Sequence, residues 1–485
     1  MKKKYGLFSV LTVMLMLIVV ATYFVKGRDG EIIYLPLLDV FFNYINSFYY
    51  FFDTAMYILI VGGFYGFLNH VSGYKKLVKN IANKFQEKGK VFIVASTIIF
   101  ALVSSLTGLN QILLLFIPFV ISIILLLGYD KLVAISATIG GTIAGLIGGF
   151  FLTIKDSSGY YDIAYNTIDK VAGLESNFGN IFPKVLLLVV TTGLLIFYML
   201  NHIKKTEENK TKYKITKSDS LFVEAKDRKG QVIDLENKKT RVWPLITILA
   251  LLFIILVLGY LPWNSLFGLD CFEKFHSWVA EIKIGDYQVL HNLISANLTA
   301  LGKWYDMGDF MVANFLIVAA TFILMLIYRV KFEEAMDGFI YGVKKMTPSV
   351  MLVMLASTLL VCSYNNGFIE TIIKEVSAKL GDNVAVHGLI TAVGSIMHTD
   401  LYYISTAVFV PITKSLTDTA NLSVYAMMFQ SIYGLIQLVG PTSILLIVGI
   451  TYLDVPYKTW LKYIWRFILE LLIAIFIVLM IVSLL

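Results

Sequence analysis

Between Ala385 and Leu416 an apolar stretch is interrupted midway by Gly394, Ser395, His398, Thr399 and Asp400, and this interruption constrains the fold more than any other feature of the chain. An ionisable pair inside hydrocarbon is costly, so it marks a functional site by default. The apolar arms, Ala385 to Val393 and Leu401 to Val410, are each about half of the roughly 20 residues that a helix needs to cross the hydrocarbon core. The segment therefore reads as a hairpin that dips into the membrane and returns. Non-helical backbone is tolerated at that depth only where protein or a water-filled cavity covers it, so a polar hairpin tip points to a solute site. The alternative is one continuous, kinked helix with a buried His and Asp.

Composition supplies the membrane that this reading needs. The chain has 485 residues, 58% hydrophobic and 15% charged, with a mean hydropathy of +0.77. That is the make-up of an all-α polytopic membrane protein. The net charge of +7 does not imply nucleic acid, because His202 to Arg241 holds 12 Lys+Arg against 7 Asp+Glu, and this excess of +5 (12 − 7) reads as topology. Cys271 and Cys362 lie far apart, without CxxC or Cys/His spacing, so neither a disulfide framework nor a metal site is indicated. Met1-Lys2-Lys3-Lys4 and the apolar run that follows to Val25 read as a first membrane helix with its basic end in the cytoplasm, the run being long for a secretory signal.

Spans are expected at about Tyr5 to Val25 and Tyr50 to Asn69. Arg28, Asp29, Glu31 and Asp39 mix signs between them, whereas His70 to Lys90 carries six lysines. The first connection is therefore outside and the second inside. With Leu77, Ile81 and Phe85 at helical spacing, the lysine-rich stretch is either an amphipathic helix on the inner surface or a solvated basic loop. The apolar run Val91 to Leu127 is broken by Ser104-Ser105-Leu106-Thr107-Gly108-Leu109-Asn110-Gln111, again two short arms around a polar tip. Leu132 to Leu152 is a span holding Gly140, Gly141, Gly145, Gly148 and Gly149, either closely packed or locally unwound. Thr153 to Pro183, with two lysines against four acids, lies outside, and Val185 to Met199 returns inward. His202 to Arg241 is a cytoplasmic linker, a solvated connector or a contact for anionic lipid. Val242 to Leu261 crosses outward, and Pro262 to Asp306, with three lysines against five acids, lies outside.

The second half repeats the first in inverted sense. Phe310 to Tyr328 runs inward, Arg329 to Lys345 is a cytoplasmic stretch, and Met346 to Val361 runs outward. Gly367 to Leu380 matches the lysine-rich helix, and Ala385 to Leu416 matches Val91 to Leu127: Thr107 precedes Pro118 by eleven residues, as Asp400 precedes Pro411. Tyr425 to Tyr452, broken at Gly440-Pro441-Thr442-Ser443, matches the Gly-rich span, and Thr459 to Leu485 matches the last helix of the first half. The expected organisation is an inverted repeat over residues 1–201 with a hairpin at about 91–127, a basic linker at 202–241, a connecting span and outer loop at 242–306, and a second repeat over 307–485 with a hairpin at about 385–416. This gives about nine spans plus two re-entrant hairpins, an inner N-terminus and an outer C-terminus. Corresponding broken segments in two inverted halves locate a transporter's substrate site near the midplane.

Ser104-Ser105-Leu106-Thr107-Gly108-Leu109 with Pro118 and Leu127-Gly128-Tyr129-Asp130 resembles the first hairpin of the YfcC-type, anaerobic dicarboxylate carrier-like family. Gly440-Pro441-Thr442-Ser443 followed by Val455-Pro456-Tyr457-Lys458-Thr459-Trp460-Leu461 is similar to that family's closing motif. The resemblance covers most of the chain apart from Pro262 to Asp306. It implies the ion transporter superfamily, with paired re-entrant hairpins, a homodimeric scaffold and elevator-like movement of the hairpin domain. Relatives carry dicarboxylates or exchange basic amino acids such as arginine and ornithine. Where family members often have acidic residues this chain has Asn110-Gln111 and Gln430-Ser431, which leaves the coupling ion and the substrate's charge open.

Neither tip carries Lys or Arg. Ser104, Ser105, Thr107, Gly108 and Asn110 form the first candidate cluster, where hydroxyls and free backbone N–H groups favour a carboxylate. His398, Thr399 and Asp400 form the second, and Asp400 suits an ammonium, a guanidinium or a coupling cation, with His398 setting its protonation state. Thr442 and Ser443, freed from helix by Pro441, are further candidate ligands. Gln430, Tyr433 and Gln437 share one helix face, lining a polar cavity or joining helices by hydrogen bonds. No Walker loop, HExxH motif or nucleophile motif occurs, so the chain does not read as an enzyme. His70, His202, His276, His291 and His387 read as solvated residues in loops or at membrane boundaries. The function expected is secondary active transport of a small polar metabolite across the cell membrane, without a cofactor and with H+ or Na+ as the coupling ion. An amino acid, in basic amino acid antiport, stands first, and a dicarboxylate or other organic anion is the alternative. A channel and an intramembrane enzyme are weaker readings.

If the halves are inverted, a cysteine placed near Lys131 reacts with an impermeant thiol reagent only from the cytoplasmic side, and one near Thr419 only from outside. Labelling of both from one face would remove the inverted repeat.

Overall fold

The computed structural model describes residues 6–25, 34–149, 153–155, 161–163, 181–208, 240–261, 263–289, 293, 295–304, 310–365, 367–380, 383–397, 400–416 and 422–483. Apolar runs form helix here because hydrocarbon offers the backbone no other partner for its N–H and C=O groups. In chain order these are α1 (Gly6–Thr22), α2 (Asp39–Tyr50), α3 (Phe52–Leu68), α4 (Ser72–Lys84), α5 (Gly89–Thr107), α6 (Ile117–Leu126), α7 (Lys131–Ile147), α8 (Ile181–Glu207) and α9 (Trp243–Tyr260). There follow α10 (Cys271–Glu281), α11 (Met311–Tyr328), α12 (Phe332–Asn365), α13 (Phe368–Leu380) and α14 (Val384–Met397). The chain continues through α15 (Leu401–Ile404, Ser405–Phe409 and Val410–Ser415), α16 (Leu422–Gln437), α17 (Ile444–Tyr452) and α18 (Tyr457–Ser483). Strands among the described residues are two short antiparallel pairs, Thr153–Lys155 with Tyr161–Ile163 and Lys283–Ile284 with Tyr287–Gln288.

Among the described residues six helices are long and apolar enough to cross a membrane, or seven if α2 and α3, bent by 67° to one another, form one span. This is fewer than the nine expected, because several apolar stretches are broken or short: α7 contains a π turn at Ser136–Gly140, and Tyr425 to Tyr452 divides into α16 and α17. Two boundaries also move. Most of Arg329 to Lys345 is helical, since α12 starts at Phe332 and runs unbroken past Pro348 into the span expected from Met346. The first hairpin does not begin with a short arm, since α5 with the preceding turn is 22 residues long and of spanning length. Its Ser and Thr residues do not interrupt the helix, because Thr97 and Thr107 bond back to the carbonyls of Ile93 and Val103. The lysine-rich stretch is the helix α4, which buries Tyr74, Leu77 and Val78. Of the basic linker, His202 to Glu207 continue α8 and residues 209–239 lie outside the described residues.

The scaffold centres on the crossing of α3 and α12, where Gly62 and Gly66 face Gly338 and Gly342. A Cβ on Gly66 would stand 2.2 Å from the carbonyl oxygen of Gly338, and one on Gly342 would stand 2.0 Å from that of Gly62. Each helix thus carries a small-xxx-small pair that admits the other's backbone, which is how membrane helices gain close packing without a hydrophobic driving force. Around this crossing α1 packs on α12 and α11 packs on α3. The same pairing recurs outward: α4 on α6 and α13 on α15, α5 on α7 and α14 on α16, α7 on α8 and α16 on α18. The Gly-rich helix α7 is therefore both packed and locally unwound.

Because the contacts at the crossing are with backbone, relaxation there must move a helix rather than a side chain. Gly66→Leu and Gly342→Leu are each expected to destabilise the protein by about 1–3 kcal/mol or more, read as a lowered unfolding temperature in detergent. Gly6→Leu, where nothing lies within 4 Å of an added Cβ, leaves it unchanged.

Candidate functional site

The first break is a C-cap. Helix α5 ends when Gly108 takes φ +69°, a left-handed conformation open to glycine, and its N–H bonds the Ser104 carbonyl at 2.9 Å. The tip hydroxyls are engaged. Thr107 accepts from the N–H of Leu109 at 3.2 Å while donating to Val103 O at 2.6 Å. Ser105 Oγ donates to Gly148 O at 2.8 Å, and Ser104 Oγ donates to Thr142 O at 2.6 Å and touches Asn110 Oδ1. Ser104 and Ser105 are fully buried.

After the tip the chain passes through a 3-10 turn, Ile112–Leu115, six residues before Pro118. After the second tip it passes through a π turn, Ser405–Phe409, which likewise starts six residues before Pro411. Such irregular turns release carbonyls that must find partners. Those of Ile112 and Leu115 accept from the hydroxyls of Tyr57 and Tyr65 on α3, both at 2.6 Å.

At the second break Asp400 is the N-cap of α15, where its Oδ1 accepts from Tyr403 N at 3.3 Å. It is half-buried and acts electrostatically on buried Tyr433 of α16. Thr442 Oγ1 donates to Ile396 O near the end of α14 at 2.7 Å, and Ser443 caps α17 by accepting from Leu446 N at 3.4 Å. His398 and Thr399 lie outside the described residues. The carbonyls released ahead of Pro441 are also covered: Leu438 O accepts from Trp460 Nε1 at 2.7 Å and Val439 O from the Tyr457 hydroxyl. Tyr457 and Trp460 belong to the closing motif, which gives that motif a structural task.

Helix α16 joins the two breaks. Gln430 Nε2 donates to Leu146 O at 3.2 Å and Gly149 O at 2.9 Å, so with Ser105 on Gly148 it covers the carbonyl end of α7. Gln430 thus takes the helix-joining role. One turn on, Tyr433 lies within the electrostatic reach of Asp400, and Gln437 is buried further along. Two hydroxyls near this junction remain without a hydrogen-bond partner among the described residues, Ser395 on α14 and Ser431 on α16, both fully buried. The structure therefore brings Ser104, Ser105, Asn110 and Gln430 together around the end of α7, and Asp400, Tyr433 and Thr442 around the second break.

Sequence reasoning passed over Tyr57 and Tyr65, whose periodicity alone gives no signal, and marked Tyr457 and Trp460 only as part of the closing motif. It also misplaced two histidines. His202 is buried, with Nε2 2.9 Å from Asp130 Oδ2, and His387 is buried against the edge of Tyr425. Asp130 in turn caps α7 by accepting from Val133 N. His202 sits on a helix that continues beyond the expected end at Met199, and His387 sits within the arm Ala385 to Val393 itself. No group of three or more His, Cys, Asp or Glu able to hold a metal occurs among the described residues.

Residues 47–484 match the DcuC family, C4-dicarboxylate anaerobic carrier, which bears out the resemblance read from the hairpin and closing motifs. Among solved structures the chain is similar to the YdaH transporter of Alcanivorax borkumensis, with 13% identity, 98% of this chain and 97% of that chain covered, and a TM-score of 0.39. No curated protein matches.

Gln430→Leu removes the donor from two buried carbonyls while keeping the volume of the side chain. It is expected to lower stability by about 1–3 kcal/mol, read as the unfolding temperature in detergent. An unchanged value would show that Gln430 does not hold the end of α7.

Proposed function

The chain belongs to the DcuC family of C4-dicarboxylate anaerobic carriers, and from that premise we propose that it is a secondary transporter whose substrate is a C4-dicarboxylate bound where the two broken segments meet on α16. It is a transporter, not an enzyme. The family match favours the organic-anion reading over the amino acid that the hairpin chemistry first put forward. The observation that carries the site is α16 itself, which bonds the end of α7 through Gln430 and, one turn on, carries Tyr433 within the electrostatic reach of Asp400. Ser395 and Ser431 are the hydroxyls there with donors to offer, whereas those of Ser104, Ser105 and Thr107 already serve carbonyls. On this reading Ser104, Ser105, Gly108 and Asn110 shape the site, and Ser395, Ser431, Asp400 and the segment that includes His398 and Thr399 receive the solute.

A carboxylate next to Asp400 is repelled unless Asp400 is protonated or paired. We therefore assign Asp400 to the coupling cation, H+ or Na+, which makes solute and cation bind together. The recurring pairing of α1 to α8 in α11 to α18 supports two inverted repeats, and the glycine crossing supports a fixed scaffold against which the hairpin domain moves. A second reading, a basic amino acid with its cationic group on Asp400, is favoured by one observation: Asp400 is the carboxylate that stands at a tip where no Lys or Arg does.

Purified protein in liposomes is expected to exchange labelled succinate and not arginine; exchange of arginine alone would install the second reading. Asp400→Asn keeps the cap, since Asn and Asp cap helices equally well, and removes the charge. It is expected to abolish concentrative uptake with the fold intact, whereas Ser105→Ala, which deletes a neutral hydrogen bond, costs about 0.5–1.5 kcal/mol of stability and leaves coupling in place. Cation-driven uptake undiminished in Asp400→Asn would move the coupling ion elsewhere.

A further inference from the structure

A pair of lysines outside the central site stands at the edge of the scaffold. Lys345 of α12 holds its ammonium over the Tyr452 ring, 4.5 Å from the centroid, and it is half-buried. Lys131, the first residue of α7, donates to the Leu453 carbonyl at 2.8 Å and stands within the field of Lys345. Asp454 is the acid that Lys345 feels, and it is exposed. Among the described residues no carboxylate comes within ion-pair distance of either lysine. Two ammoniums against one exposed acid leave a net positive charge beside a low-dielectric wall, which focuses the field on anions.

The position is specific. Met346, next to Lys345, and Tyr452, under its ammonium, line a small apolar cavity between scaffold and hairpin domain, whose other walls include Leu114 and Pro118 of the first broken segment and Gly449 of α17. The lysines thus sit where α12, α7 and α17 come together. By the positive-inside rule this is the cytoplasmic face, which also carries the lysines of α4.

We infer that Lys345 and Lys131 form a carboxylate-docking site at the cytoplasmic mouth, which receives one end of the dicarboxylate before it enters, or after it leaves, the site on α16. The inference rests on the proposed function and adds to it a cationic station that the hairpin tips lack. An ammonium on an aromatic face is held in place without being neutralised. Lys131, with one N–H on Leu453 O, keeps two for a ligand. With no buried acid to displace, binding is reversible, as a mouth site requires.

The test measures succinate transport in liposomes from each face separately, with orientation fixed by labelling. Lys345→Met, which keeps the packing on Tyr452, and independently Lys131→Gln are each expected to raise the half-saturation constant on the cytoplasmic face about tenfold, the size expected for a charged hydrogen bond, and to leave that of the outer face unchanged. Lys345→Arg, which keeps charge and stacking, restores the wild-type value. Wild-type values on the cytoplasmic face for both neutral variants would overturn the inference and leave the proposed function standing, as would equal losses at both faces. A deficit that follows the anionic-lipid content of the liposomes would assign the pair to a lipid phosphate and likewise overturn it. If the wild-type protein carries no succinate at all, the functional reading falls and the docking site with it.

Discussion

A carbonyl released from a helix inside a bilayer has no water to turn to, and this constraint organises the molecule. Both broken segments, the end of α7 and the break at Pro441 release such carbonyls, and named side chains meet them: Tyr57 and Tyr65 at Ile112 and Leu115, Ser105 and Gln430 at Gly148, Gly149 and Leu146, Thr442 at Ile396, and Trp460 and Tyr457 at Leu438 and Val439. The donors come from outside the element that releases the carbonyl in every case, so each break is stable only in the assembled fold. A polar site at membrane depth is thereby obtained without stranded backbone groups, and the closing motif and the scaffold tyrosines are part of that site's foundation rather than of its chemistry.

The two kinds of contact between helices differ in what they permit. At the α3 and α12 crossing, backbone meets backbone through four glycines, and no rotamer can absorb a displacement, so these helices are held as one body. Between α3 and the first broken segment the contacts are two tyrosine hydroxyls and an apolar seam lined by Ile58, Val61, Leu114 and Pro118. Hydroxyls can exchange one carbonyl for another, and an apolar surface has no register to lose. The division of fixed and movable parts expected of the proposed carrier therefore follows from which residues stand at each contact.

Much of the architecture was legible because interruption of an apolar run by Gly, Pro and small polar residues is a local signal. The breaks at Gly108 and at Gly440-Pro441, the amphipathic helices α4 and α13, and the shared spacing to Pro118 and Pro411 could all be read from neighbouring residues. What could not be read depends on partners distant in sequence. Ser104 and Ser105 look like solute ligands in isolation, and only the placement of Thr142 and Gly148 shows their protons already in use. Arg329 to Lys345 looks separate from the span that follows because its lysines and acids lower hydropathy, although from Phe332 onward it shares one unbroken helix with that span. His202 looks solvated until Asp130, 72 residues away, is placed beside it.

The charge of the site sets the remaining requirement. A dianion brought to the midplane would cross a region where an isolated charge is strongly disfavoured, and the hairpin tips supply no Lys or Arg to meet it. Neutral hydroxyls such as Ser395 and Ser431 orient a carboxylate but cannot offset two charges. Asp400 would add a third of the same sign unless a cation occupied it first. On the proposed reading an acid at that position is not an obstacle to anion transport but a reason for cations to arrive with the anion: each cation that Asp400 admitted would lower the charge to be carried across hydrocarbon. A carrier of the proposed kind would couple because the uncoupled complex is electrostatically too costly to form, and the helix-capping role of Asp400 would hold that carboxylate at the tip in either charge state.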